Sequence, residues 1–198
     1  LSSVLWGTFV GGSSDDAAYA IEFRNDGALV IAGGTKSSNF PLISGGVDMS
    51  HNGQTDGYIT VINESNFSLM AGTLIGTSEY DQVYFVQVDD NDNIYCYGQT
   101  EGLMTITPGC YGQANSGQFI SKYNQSLSSL TWNTTVGTGS GEIDISPTAF
   151  LVSDCEQIYI SGWGGEVNSF FCGSHDCYAV FSTTDGLPIT ADAFQTNT

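Results

Sequence analysis

Residues Tyr19 to Pro41 read YAIEFRNDGALVIAGGTKSSNFP, and this stretch decides the fold. Tyr19, Ile21 and Phe23 alternate with smaller or polar residues, the period of a strand with one buried face. Asn25-Asp26-Gly27 follows, and Asp-Gly is a strong hairpin signal because both residue types tolerate positive φ. Ala28 to Ala32 is an almost wholly apolar run, as expected of a strand buried on both faces. Gly33-Gly34 ends it, and Lys36 to Pro41 reads as loop.

The phrase recurs twice, at a period of roughly 60 residues. A first strand is read in GTFVGG from Gly7, GTLIGT from Gly72 and TTVGT from Thr134. A second is AYAIEF, VYFVQV from Val83 and TAFLVS from Thr148. An acidic residue precedes each second strand: Asp15 and Asp16, Asp81, Asp144. One residue type recurring once per repeat reads as structure, a carboxylate accepting backbone N–H bonds at a corner. The third strand is LVIAGGT, IYCYGQT from Ile94 and IYISGWG from Ile158, with its glycine at Gly33, Gly98 and Gly162. A fourth is DGYITVI from Asp56 and GQFISKY from Gly117.

In the third copy GLPITADAFQ, from Gly186, matches the loop before strand four, like NFPLISGGVD at Asn39 and TITPGCYGQ at Thr105. On that alignment 166–185 is an insertion and the last strand lies beyond Thr198. The alternative takes DCYAVF, from Asp176, as strand four.

Four antiparallel strands per repeat is the arithmetic of a β-propeller blade. The expected fold is therefore all-β, one partial propeller over 1–198, with repeats of about 1–65, 66–128 and 129–198. A sandwich does not explain the repeat, and a solenoid uses shorter coils. About three blades do not close a ring. The chain is thus expected to be a piece of a longer protein.

Composition agrees, with 25 Gly and only 4 Pro in 198 residues. Three Lys and Arg stand against 21 Asp and Glu, for a formal charge of −18. Arg24, Lys36 and Lys122 cannot make the basic patch that phosphates require, so neither nucleic acid nor an anionic membrane surface is an expected partner. No apolar run approaches the ~20 residues of a membrane helix.

The phrase DDAAYAIEFRNDGALVIAGGTKSSNFP, preceded by GTFVGG, resembles the SBBP family of bacterial β-propeller repeats. The pattern there is Gly-Gly, Asp, a strand, Asp-x-x-Gly-Asn, an aromatic strand ending in Gly, and Thr-x-Ser-x-Phe-Pro. The first copy fits well. The later copies fit loosely and look like divergent copies in large surface proteins of Bacteroidota. The resemblance implies a seven-bladed module in an exported, outer-membrane-associated protein. It further implies secretion by the type IX system and a part in gliding motility. The work implied is non-catalytic adhesion, with a surface polysaccharide, a protein ligand or other domains of the same large chain as partners. A propeller enzyme acting on polysaccharide and an inert spacer are the alternatives.

Asp89, Asp90 and Asp92, with Asn91 and Asn93, supply the oxygens a calcium ion wants, which makes calcium the one candidate cofactor against an expectation of none. However, Ile94 and Thr100 stand where an EF-hand loop needs Gly and Glu. The cluster also fills the hairpin-turn slot, where Asp and Asn are favoured for backbone reasons, and the turn reading outweighs the metal. Trp163, between glycines, is the candidate stacking surface for sugar, while Trp6 and Trp132 read as core or blade-interface residues. Cys172 with Cys177, and Cys96 with Cys110, are candidate disulfides that leave Cys155 over; plain buried thiols are the alternative. Cys172, His175 and Cys177 lack a fourth zinc ligand nearby. No nucleophile elbow, zincin helix or phosphate loop is present, and STTDG at Ser182 does not match the sialidase phrase. A non-enzyme is the expectation.

Overall fold

The computed structural model describes residues 2–4, 6–163, 187 and 189–191. Its strands are β1 (Asp16–Phe23), β2 (Leu29–Thr35), β3 (Asp56–Ile62), β4 (Leu69–Ile75), β5 (Asp81–Val88), β6 (Ile94–Thr100), β7 (Gln118–Tyr123), β8 (Leu130–Val136), β9 (Ser146–Val152) and β10 (Ile158–Trp163). No helix occurs among the described residues. β1 to β4 form one antiparallel sheet in chain order, β5 to β8 a second, and β9 and β10 a two-stranded hairpin. The fold is all-β.

One five-residue turn closes the first hairpin of each unit. Arg24 N donates to Ala28 O, Asp89 N to Asn93 O and Ser153 N to Gln157 O, at 2.9, 3.1 and 2.9 Å. The fourth turn residue takes positive φ each time: Gly27 at 84°, Asp92 at 61° and Glu156 at 59°. The polar run DDNDN is thus the second copy of a turn that glycine serves in the first.

The first strand of each sheet also carries a bulge. The β1–β2 register slips at Tyr19, between Ala18 and Ala20, and β5–β6 slips at Tyr84, between Val83 and Phe85. The β9–β10 register slips at Thr148, opposite the step from Ser161 to Gly162. In the two four-stranded sheets the recurring glycine faces this bulge, whereas a Cβ at Gly162 would meet the Ile145 side chain at 2.6 Å. A Cβ at Gly33 would stand 1.8 Å from the Ala17 carbonyl oxygen, and one at Gly98 would stand 2.2 Å from that of Gln82. At Gly33 and Gly98 glycine is required because bulge backbone occupies the space of a side chain.

The long loops after β2 and β6 fold back along the outer strands of their sheets. Leu74 N donates to Asp48 O at 2.8 Å, and Asp48 N to Thr73 Oγ1 at 3.0 Å. In the second sheet Thr107 N donates to Asn133 O and Gln113 N to Thr135 O, both at 2.9 Å. The repeated loop phrase therefore covers a sheet edge that would otherwise present unpaired backbone groups.

The sheets stack face to face: β5 lies against β1, β2 and β3, and β9 against β5 and β6. The layer between the two sheets holds Val30, Ala32, Ile59 and Val61 on one side and Val83, Val86, Cys96 and Phe119 on the other. Tyr95, Tyr97 and Ile120 meet Phe150 in the layer beyond. Each large apolar side chain buried contributes about 1.5–3 kcal/mol, against about 1 kcal/mol for a hydrogen bond. Apolar burial thus drives the stacking, and polar contacts set its register.

Two expectations are corrected, the strand at 7–12 and the Cys96–Cys110 bridge. Residues 7–12 carry no strand; the matching phrases lie in β4 and β8, fourth strands paired to β3 and β7. The sheets are therefore offset by one strand from the repeats 1–65 and 66–128. The short turns after β3 and β7 send the chain straight back beside itself, before it crosses to the next unit. Cys96 and Cys110 are not bridged, and Cys155 is also free. Cys96 sits in the layer between the sheets, while the loop bearing Cys110 is bonded to the far edge of β8. At about 4.8 Å per strand, that separation exceeds the roughly 7 Å limit for bridged Cα atoms. The proposed insertion 166–185, the Cys172–Cys177 pair, His175 and the alternative fourth strand lie outside the described residues.

Candidate functional site

The recurring acidic residues build one end of the stack. Asp16 accepts hydrogen bonds from Gly12 N at 2.7 Å, from Ser37 Oγ at 2.9 Å and from the Thr35 hydroxyl. Asp81 accepts from Thr77 N at 2.6 Å and Thr77 Oγ1 at 2.8 Å; Asp144 accepts from Thr138 N at 2.9 Å and Thr138 Oγ1 at 2.8 Å. Asp56, at the start of β3, accepts from Asn52 N at 2.8 Å. These carboxylates hold the chain where it enters a strand, as the sequence implied. Asp15, the other acidic residue at that place, is exposed beside Lys36 at 3.6 Å.

Burial pushes the Asp81 carboxyl above its ordinary value, against hydrogen bonds from Thr100 and Thr77. Burial likewise raises Asp56, opposed by the Asn52 bond and the His51 charge and helped by the Asp81 and Asp48 charges. Asp56 and Asp81 are fully buried. Raised carboxyls are the usual mark of a general acid, but these two cannot reach a substrate oxygen.

At the other end the hairpin turns clasp one another. Asp89 Oδ1 accepts from Asn91 N and Asn93 N, both at 2.9 Å, and Asp89 Oδ2 accepts from Asn93 Nδ2 at 2.9 Å. Asp92 Oδ1 accepts from Asn25 N of the first sheet at 2.8 Å. Lys122 Nζ lies 3.4 Å from Asp89 Oδ2, 3.0 Å from Glu156 Oε2 and 4.7 Å from the centre of the Tyr95 ring. Burial lowers the Lys122 ammonium, but bonds to Tyr95 and Glu156 outweigh it and raise the group overall. Burial raises Asp89, but bonds from Asn93 and Asn91 and the Lys122 charge hold it below the ordinary value. A cavity of about 120 Å³ beside the clasp is lined by Asp89, Asp90, Asp154 and Glu156 among others. Thus Asp89 and Asp92, two of the calcium candidates, turn to partners on different elements, and among the described residues no cluster of three or more His, Cys, Asp or Glu is arranged around a metal position.

A third arrangement, absent from the sequence reading, lies on β1 and β5, the first strands of the two four-stranded sheets. The bulges at Tyr19 and Tyr84 bring their rings to 5.0 Å, tilted by 32°. Tyr84 Oη lies 3.1 Å from Tyr80 Oη. Burial pushes the Tyr80 and Tyr84 phenols up, so both are neutral at physiological pH. Tyr19 is half exposed, and Tyr80 and Tyr84 are partly so. The run offers ring faces with hydroxyls at their tips, a surface suited to a neutral polar ligand. Alternation alone could not reveal it, because each bulge moves one side chain out of the period-two pattern. Trp163 is half exposed at the end of β10, opposite Ser146. Trp132 packs partly buried on the layer beneath the hairpin, edge-on to Tyr95, and Trp6 stacks on Phe67 at 4.2 Å. Among the described residues no helix is long and apolar enough to cross a membrane.

Neither a scan against protein-family models nor a search of curated proteins returns a match for this chain.

Proposed function

We propose that this chain is a run of β-propeller blades serving as a non-catalytic binding module on the outside of a cell. Its ligand is a neutral surface polysaccharide, met at Tyr19, Tyr84 and Tyr80, with Trp163 as a further stacking face. The tyrosine contact run carries this reading: it is a partly exposed aromatic cluster with hydroxyl groups, aligned by bulges that recur in successive sheets. The charge of −18 argues against anionic ligands, which the field of the protein repels. The buried, hydrogen-bonded carboxylates support a scaffold rather than an acid-base centre. Placement on the cell surface, in a gliding adhesin, rests on the likeness of the first repeat phrase to SBBP repeats.

The test is a glycan array probed with the wild-type chain, Tyr19→Ala and Tyr84→Ala. The wild type is expected to retain neutral glycans, and each variant to lose at least tenfold in affinity with an unchanged β-sheet circular dichroism spectrum. An empty array, or a Tyr84→Ala variant that binds like wild type, sinks the proposal and favours a spacer.

A further inference from the structure

The loop between β2 and β3 ends in DMSHNGQTD, Asp48 to Asp56, with Asp56 opening β3. Counted from Asp48, oxygen-bearing side chains stand at positions one, three, five and nine, as Asp48, Ser50, Asn52 and Asp56, and Gly53 stands at six. This is the spacing of a calcium loop, in which the seventh residue, here Gln54, offers its backbone carbonyl. The twelfth position, where such loops carry a bidentate glutamate, is Ile59, fully buried in β3, so the match ends at Asp56. The loop before β7 has no Asp or Glu from Gly102 to Gly117, so the spacing is not a property of the repeat.

The structure gathers these residues. Asp48 Oδ1 accepts from Ser50 N at 2.9 Å and Asp48 Oδ2 from Asn52 Nδ2 at 2.6 Å, while Asp56 Oδ2 accepts from Asn52 N at 2.8 Å. Two carboxylates thus meet at Asn52, one at its side chain and one at its backbone. His51, at a position that supplies no ligand, places Nε2 3.2 Å from the Thr35 carbonyl oxygen. A second observation is independent of the spacing. Asp56 is fully buried, yet its Oδ1 has no hydrogen-bond partner. A buried carboxylate oxygen without a partner is costly, and a cation removes that cost. A Cβ at Gly76 would stand 2.8 Å from this oxygen. The loop is bonded to Leu74 at Asp48 and packs on the Ser78 backbone at Gly53, where a Cβ would stand 2.5 Å from the Ser78 carbonyl oxygen. Gly76 lies midway between those anchors, so the orphaned oxygen lies under the span of the loop.

We propose that this loop is a calcium site, with Asp48, Ser50, Asn52 and Asp56 as side-chain ligands and the Gln54 carbonyl as a further one. Asn52 presents Oδ1 by turning its amide, exchanging the Nδ2 bond to Asp48 for the ion. Calcium suits the loop because it accepts a flexible shell of about six to eight oxygens, whereas magnesium demands a strict octahedron. Only two ligands are charged, so the site is weak, with a dissociation constant of about 10⁻⁴–10⁻³ M. The ion fastens the loop over the β4 edge. The inference does not depend on the glycan reading, and its residues are distinct from those of the DDNDN turn.

Isothermal titration calorimetry of the chelator-treated 198-residue chain with calcium chloride tests it. Wild type is expected to bind a single calcium. Asp48→Asn and Asp56→Asn keep acceptors for Ser50 N and Asn52 N, so each is expected to fold, checked by circular dichroism, and to bind at least tenfold more weakly. Asp90→Asn, in the other acidic turn, is expected to bind like wild type. Thermal unfolding is the second readout: calcium at about twenty times the dissociation constant should raise the wild-type midpoint by roughly 4–7 °C and barely move that of Asp48→Asn. The charge of −18 draws any divalent cation to the surface, so magnesium at the same concentration is the control, with a clearly smaller shift expected. A wild type with neither binding heat nor a midpoint shift overturns the proposal. So does an Asp48→Asn variant that binds like wild type, a loss of binding confined to Asp90→Asn, or a magnesium shift equal to that of calcium.

Discussion

Replacing Gly98 with alanine tests whether the β5 bulge is the reason for the glycine opposite it. A Cβ there would lie 2.2 Å from the Gln82 carbonyl oxygen and 2.5 Å from Phe119 Cζ. The Phe119 ring can give a little, but the Gln82 carbonyl is backbone, held in the β5–β6 ladder by the pairs Gln82 with Gln99 and Val83 with Gly98. Overpacking a core by one methyl costs roughly 1–3 kcal/mol, and a fixed backbone neighbour places this site at the upper end. Alanine also restricts the unfolded chain, which offsets about 0.4–1 kcal/mol. The net loss is about 2 kcal/mol. With a urea slope of about 2 kcal/mol/M, the midpoint falls by roughly 1 M with the slope unchanged. Gly7→Ala is the control, since nothing lies within 4 Å of its Cβ position. A Gly98→Ala midpoint indistinguishable from the control would refute the account of the bulge.

Lys122→Met leaves Asp89 without its cation in a nearly buried clasp, and a loss of about 3 kcal/mol is expected by urea unfolding at neutral pH. Asp89 is held below its ordinary value, so its contribution is present above the unfolded value of 3.8 and lost as pH falls through the folded one. The wild-type midpoint should therefore drop below pH 4 more steeply than that of Lys122→Met. The raised Asp56 carboxyl has the opposite sign: its contribution is present below 3.8 and lost as pH rises through the raised value. Asp56→Asn keeps an acceptor for Asn52 N, so it should be no less stable than wild type at neutral pH and flatten the slope as pH rises above 3.8; marked destabilisation at neutral pH would contradict this. In iodoacetamide labelling followed by peptide mapping, exposed Cys155 should react fast and Cys110 more slowly. Cys96, buried with its thiol pushed up to about 12, should react only after unfolding, with no reductant needed.

The sequence by itself determined that the chain is all-β and where most strands and the turns between them fall, the strand expected at 7–12 excepted, because alternation and turn chemistry are local properties. It also identified the corner carboxylates, since one residue type recurring once per unit outlasts drift elsewhere. Tertiary structure decided the rest. The GTLIGT phrase opens a repeat in sequence but ends a sheet in space, because strand pairing follows the short turn before it. DDNDN has the composition of a cation loop, and only the structure shows that Asp89 meets Lys122 and Asp92 meets Asn25, both distant in sequence. Cys96 and Cys110 are close along the chain and separated by the width of a sheet. The tyrosine run exists only because two bulges, one on β1 and one on β5, turn residues 65 positions apart toward each other. Such contacts depend on how sheets stack, and stacking is a sum over many side chains that no single segment records.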